Sequence, residues 1–436
     1  MTEKKILFKG IKRAVAYLLA VLTVILSCSC AESISDLKYK ENGDIVDRFD
    51  TASADESINL SETRAESPEY LAENTVTPDS ISRTEYTHGN QKISFLAVGD
   101  NICHESVAKD AADNSSESEF DFSPMYQTVS EQIKSADISL INQVSLMPGT
   151  GSYSYYPSYN VPSEMGDAVV DLGFDIVNLA TDHMLDCGTE GLAATEKYFS
   201  DKGTFILGAY ENADDLNNIR IIDHDGIRIA FVYYTNKTAK KHSVSDGTYI
   251  PYIDTADIEK QTALASQNAD FVIAVMHWGT ENSFEVSENQ QMLASLLASN
   301  GADVIIGSGA HVLQPIEWVE SAGGRKTLVA YSLGNFLSGM YYAKNAVGGI
   351  LSFDIVISSE NETPEINIEN VICTPTVCHY STKRDGFRIY YLSDYTDNLC
   401  QTHGAQNFER FTHYDMVSFA KDHIAEEFLP SAPQNP

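Results

Sequence analysis

Positive charge is scarce in this sequence. Its 436 residues carry 29 Lys and Arg against 62 Asp and Glu, a formal net charge of −33. Such an excess argues against a nucleic-acid partner, whose phosphates demand Lys and Arg. It argues equally against a basic patch clamping a membrane surface. An anionic substrate then needs a local reversal of the field, most simply a bound cation. Cysteine is sparse as well. Seven residues, widely spaced, do not make a disulfide scaffold. No repeat of fixed period recurs. Charged residues are only 21% of the chain and apolar ones 43%, so the chain as a whole is not disordered. Its length predicts one large domain with appendages, or two domains.

The first 28 residues read as an export signal. Lys4, Lys5, Lys9, Lys12 and Arg13 form a basic start. The apolar run Ala14–Leu26 follows with 13 residues, short of the roughly 20 that span a bilayer as a helix. It ends in Ile25-Leu26-Ser27-Cys28-Ser29-Cys30. This resembles a bacterial lipoprotein signal, with Cys28 as the lipidated residue and Cys30 the poorer fit. An uncleaved signal anchor is the other reading. Both place most of the chain outside the cytoplasm, attached to the cell membrane.

Residues 29–90 are rich in Ser, Thr, Asp and Glu without apolar periodicity, and read as a disordered acidic linker. From Ile93 the pattern changes. Short apolar runs at Ile93–Val98, Ile138–Ile141, Phe174–Ala180, Phe205–Leu207, Ile229–Tyr234, Phe271–Met276, Val304–Ile306 and Leu328–Ser332 read as buried strands. Helical stretches lie between them. Pro162-Ser163-Glu164 opens one that Gly173 closes, and Gln291–Ala298 is another. Strands alternating with helices predict an α/β domain. After Ile350 strands follow one another, at Leu351–Ile357 and Phe387–Leu392, which suggests an antiparallel portion of a second sheet. The domain is assigned to residues 91–395, with a helical extension over 396–436.

Polar residues fall at the strand ends. Asp100, Asn142, Asp182-His183, His277 and His311 each come just after an apolar strand. In an α/β sheet the loops after parallel strands share one edge, so these side chains can converge. Each alone is an ordinary turn or loop residue. Together, Asp and His form the ligand set of Zn, Mn or Fe.

The motifs are Phe95-Leu-Ala-Val-Gly-Asp100, Leu179-Ala-Thr-Asp-His-Met-Leu-Asp-Cys-Gly188, Met276-His-Trp-Gly-Thr-Glu281, Val304-Ile-Ile-Gly-Ser-Gly-Ala-His-Val-Leu-Gln-Pro315 and Tyr331-Ser-Leu-Gly-Asn-Phe336. In this order they resemble the CapA family of bacterial capsule-type poly-γ-glutamate synthesis proteins. The resemblance implies a calcineurin-like metallophosphatase fold, a sandwich of two mixed β-sheets flanked by helices. It also implies an exported, membrane-attached protein of poly-γ-glutamate synthesis, export or anchoring. Its partners would be that polymer or another anionic envelope polymer, a membrane synthase complex, and the membrane through the lipid.

Three positions depart from the family pattern. Where the family has Asn-x-Glu, this chain has Asn142-Gln143-Val144. The family's Asn-His is Asp182-His183, and its His-Pro-His is Gly309-Ala310-His311. A carboxylate and an imidazole are therefore missing from a two-metal centre. What remains suits at most one divalent ion, Mn, Zn or Fe, on Asp100, Asp182, His277 and His311. If the site is active, the ion polarises a phosphoryl or amide oxygen and activates water. His183 then protonates the leaving group, Asp186 orients His183, and Asn142 bonds a substrate oxygen. Trp278 is either a packing residue or a wall of the site, and Asn335 offers a polar contact. Two readings stay open: a non-catalytic polymer-binding relative with a partly degenerate metal site, and an active metal-dependent hydrolase or phosphoesterase.

The cysteines leave alternatives. Cys103 and Cys187 lie on two of the motif loops. They are either small buried apolar residues, or a disulfide pinning the two loops, or soft ligands. Pairing of Cys373 with Cys378 is conceivable across Thr374-Pro375-Thr376-Val377.

Overall fold

A computed structural model describes residues 75–76 and 91–431, apart from 117, 241–246 and 359–364. The signal segment, Cys28 and all of the linker but Thr75–Val76 lie outside the described residues. The strands are β1 Thr75–Val76, β2 Gln91–Asn101, β3 Ile138–Gln143, β4 Ile176–Asn178, β5 Phe205–Leu207, β6 Ile219–His224 and β7 Ile227–Thr235. They continue with β8 Phe271–His277, β9 Val304–Ser308, β10 Ile316–Glu320, β11 Lys326–Ala330, β12 Asn335–Leu337, β13 Val347–Ser358, β14 Glu365–His379 and β15 Arg388–Tyr391.

Two sheets result. The first runs β15-β14-β13-β2-β3-β4-β5, with β12 pairing β2. The second runs β1-β6-β7-β8-β9-β11-β10. Strands β2 to β5 are parallel, as are β7, β8, β9 and β11. Antiparallel strands flank both parallel blocks, so both sheets are mixed.

Side-chain alternation sets the layers. On β2, Phe95 and Ala97 enter one buried cluster while Leu96 and Val98 enter another. On β8, Ile273 and Val275 join Phe95, while Val272, Ala274 and Met276 form a third cluster. A strand's successive side chains point to opposite faces, so the shared cluster lies between the sheets. The others lie outside them, under helices. Glu164–Asp171 and Gly188–Ser200 cover the first sheet through Met165, Val169, Leu192 and Phe199. Thr255–Asn268 and Glu288–Ser299 cover the second through Ile258, Leu293 and Leu297. This is the α/β sandwich of two mixed sheets flanked by helices that the resemblance implies. The C-terminal helices Asp397–Thr402 and His413–Lys421 add Cys400, Met416 and Ala420 to the central layer.

One expectation changes, and one set of alternatives closes. The strands after Ile350 belong to the first sheet, because β13 pairs β2 along eight residues from Gln91 to Val98. The cysteine bridges do not form: Cys103, Cys187, Cys373 and Cys378 all carry free thiols. Cys373 and Cys378 are five apart on β14, hence on opposite faces, and pack in different layers. The Cys187 thiol turns to the Tyr159 carbonyl at 3.2 Å, and Cys103 is sealed in the outer layer of the first sheet.

Main chain joins the sheets where the chain passes from β11 to β12. Leu333 donates to Gly307 of β9 (3.1 Å) and accepts from Gly349 of β13 (2.9 Å), while Gly334 accepts from Asp100 of β2 (2.9 Å). A Cβ on Gly99 would stand 2.0 Å from the Gly334 carbonyl oxygen, so only glycine fits there.

Candidate functional site

Register builds the site. In the first sheet Asp100, Asn142 and Asn178 are direct partners on β2, β3 and β4. Asn178 donates to Asn142 Oδ1 at 2.6 Å, and Asn142 donates to Asp100 Oδ1 at 2.5 Å. In the second sheet His277 pairs with Ser308, whose hydroxyl lies 3.0 Å from His277 Nδ1. These rows close the carboxyl ends of two parallel blocks, where ligand sites of α/β sheets form.

The loops beyond the strands bring the rows together. His277 Nε2 donates to Asp182 Oδ1 at 3.1 Å. His311 Nδ1 donates to Asp100 Oδ2 at 2.9 Å and stands 3.1 Å from Asn335 Oδ1. His277 Nδ1 lies 3.9 Å from Asp100 Oδ1. His183 Nδ1 donates to Asp186 Oδ2 at 2.8 Å, and its other nitrogen is 3.8 Å from Asp182. All seven site residues expected from the sequence are buried and meet here. Asn142 has both polar ends engaged by protein groups.

His311 adopts a left-handed backbone with φ of 57°. Such a conformation is uncommon outside glycine and persists where the surroundings enforce it. Asn345 donates to the His311 carbonyl at 3.0 Å, and Asn335 reaches it at 3.4 Å.

Burial alone would lower the His311 imidazole, but the bond to Asp100 and the charges of Asp100 and Asp182 outweigh it and hold it up at about 9. The same contest raises His183, through Asp186 and Asp182. Burial would raise Asp182 and Asp100. The imidazoles beside them win, and both carboxyls sit below the usual range.

The donors are of the right chemical kind for a divalent ion. Their arrangement is not: among the described residues no three His, Cys, Asp or Glu side chains form a group that could hold a metal ion. They meet in pairs, Asp100 with His311, Asp182 with His277 and Asp186 with His183. The residues therefore do not fit a ready-made metal centre.

The substituted family positions are equally clear. Val144 is fully buried in the outer layer of the first sheet. Gly309 has φ of +94°, and a Cβ there would lie 3.0 Å from His277 Nε2. Trp278 packs on the far side, stacked on Tyr331 and donating to its carbonyl at 2.8 Å.

Sequence reasoning missed several partners. Asn178 and Ser308 end apolar strands just as Asp100 does, so the same signal marks them. Tyr159 sets its ring edge-on to His183 at 4.7 Å and donates its backbone N–H to Asp186 at 2.7 Å. His104 accepts from the Gly339 N–H at 3.1 Å. Burial, with the charges of His311, Arg384 and His183, pushes His104 down to about 3.

The chain matches the family of bacterial capsule synthesis proteins, PGA_cap, over residues 94–340, more than half its length, and belongs to that family. The capsule biosynthesis protein CapA of Bacillus anthracis is 33% identical over 175 residues, 39% of this chain and 41% of that protein. The PGA biosynthesis protein CapA of Bacillus subtilis is 32% identical over 171 residues, 38% of this chain and 43% of that one. The chain thus spans about two fifths of the length of these relatives. Among solved structures, a hypothetical protein from Thermus thermophilus aligns with 15% identity and a TM-score of 0.36, over 64% of this chain and 99% of that one. A 5'-nucleotidase from Candida albicans aligns with 12% identity and a TM-score of 0.35, over 59% of this chain and 46% of that one.

Proposed function

We propose that this protein serves the synthesis, export or anchoring of poly-γ-glutamate or a related anionic envelope polymer. In this reading it works outside the cytoplasm, held to the membrane by lipid on Cys28, beside a membrane synthase. Its metal site is partly degenerate. One observation carries that last point: each site carboxylate already holds an imidazole within 3.1 Å. A divalent ion, Mn, Zn or Fe, must break one of these pairs to enter. The site therefore takes at most one.

The chain's own groups then bind and orient. Asn178, Asn142 and Asp100 form a fixed polar row, and His311, held up at about 9, presents positive charge beside it. A second reading, an active hydrolase, is favoured by the His183–Asp186 pair. There His183 holds a proton over Asp182 and Asp186 fixes its ring.

Deletion of the gene tests the reading. Surface-attached γ-linked glutamate is expected to fall, and the full chain to restore it. The purified protein is expected to hold at most about one equivalent of Mn, Zn or Fe by elemental analysis. Unchanged polymer in the deletion strain refutes the polymer role. Two ions per chain refute the degenerate site.

A further inference from the structure

Two loops meet above the site. The one after β7 is bonded into it by main chain: Asn236 donates to the His277 carbonyl at 2.9 Å, and Ala239 to the Asp182 carbonyl at 2.6 Å. The one after β8 is tied to the other side, where Asn282 donates to the Ala310 carbonyl at 2.8 Å. Lys237 of the first loop and Glu281 of the second join in an ion pair of 2.9 Å. Their side chains are 54% and 49% exposed, unlike the buried pairs beneath them. Lys237 feels the charge of Asp182, and Glu281 acts on His311, so the pair spans both halves of the site.

Exposed ion pairs add little net stability and exchange readily with competing ions. The neighbouring cation is not so placed: Lys240 donates to the Asp186 carbonyl at 2.9 Å and to the Ser158 hydroxyl. Among the described residues of these two loops, Lys237 is the cation whose partner is a surface carboxylate. Its seat already accepts a carboxylate at hydrogen-bond distance.

We propose that Lys237 is the carboxylate-recognition residue at the mouth of this site, with Glu281 as a built-in competitor that a ligand carboxylate displaces. The exchange is like for like, one carboxylate leaving the ammonium as another arrives. It admits a carboxylate-bearing chain without leaving Lys237 unpaired in the resting protein. This inference rests on the polymer reading above and adds the residue that selects the polymer's charged group.

The test uses the full chain and a fluorescein-labelled, γ-linked glutamate decamer, followed by anisotropy. K237A is expected to weaken binding about three- to fivefold, and E281Q to strengthen it about threefold, the scale of one exposed ion pair. K237A/E281Q should match K237A. Both residues are half exposed, so thermal midpoints should stay within about 2 °C of the parent. If E281Q weakens binding as K237A does, the pair merely fixes the loops and the inference falls. If the parent binds and K237A does not differ, the inference falls while the polymer reading stands. If neither the parent nor E281Q binds the decamer at millimolar concentration, both fall.

Discussion

His311 is 8% exposed at the site, in the loop after β9, and His379 is 7% exposed on β14, in the antiparallel flank of the first sheet. His311 faces the Asp100 carboxylate and is held up at about 9. His379 meets the Tyr395 hydroxyl at 2.7 Å and the ring of His403 at 5.3 Å, and burial pushes it down to about 4. His403 is fixed neutral by its bonds. One ring nitrogen donates to the Cys378 carbonyl at 3.1 Å, and the other accepts from the Ala405 N–H at 3.0 Å. Equal burial thus gives opposite charge. The neighbouring carboxylate decides, and depth does not.

The harshest way to break the comparison is a buried carboxylate with no imidazole. V144E puts a carboxylate in the outer layer of the first sheet, where Val144 is fully buried within an apolar cluster. It is expected to cost roughly 3–5 kcal/mol, or to prevent folding, as read by urea unfolding. D100N removes the partner of His311 instead. It should cost about 3 kcal/mol, and NMR titration should find His311 below 6.5, like His379.

The pH profile sharpens the same contrast. The contribution of His311 is complete below 6.5, the unfolded value, and is lost as pH rises through about 9. Those of His379 and His403 are complete above 6.5 and are lost as pH falls toward about 4 and about 3. Stability should therefore peak near pH 6.5, with the alkaline limb falling by about 2 kcal/mol within two units and the acid limb, which two histidines share, by about 4 kcal/mol. Denaturant midpoints across pH should show D100N flattening the alkaline limb and H379F the acid limb above pH 4.5. A single limb common to both variants would break the contrast. The smallest effect belongs to G309A, at about 1–2 kcal/mol in thermal unfolding, because its Cβ meets His277 at positive φ.

The buried strands were the most legible part of the sequence. β5 lies where Phe205–Leu207 predicts it, and the fully buried β8 extends Phe271–Met276 by one residue, because buried strands read as unbroken apolar runs. β14 was not legible. Its fifteen residues mix Glu, Asn, Thr and an internal Pro375, and only Cys373 and the last four residues are buried. Site membership was legible at strand ends, where Asp100 and His277 follow apolar runs. Partners from other segments were not. Tyr159 reaches Asp186 across 27 residues, and Lys237 reaches Glu281 across 44. Which of the readings open for the thiols holds was not legible, because spacing along the chain says nothing of which face a strand residue occupies.

The main-chain staple from Leu333 to Gly334 separates two histories within one protein. Peptide groups of Gly307, Gly349 and Asp100 bridge the halves of the site whatever side chains the site carries. Residues facing the site can therefore be exchanged over generations while the frame that aims them stays constant. Changes among the side chains of the site leave these main-chain bonds between β9, β13 and β2 in place.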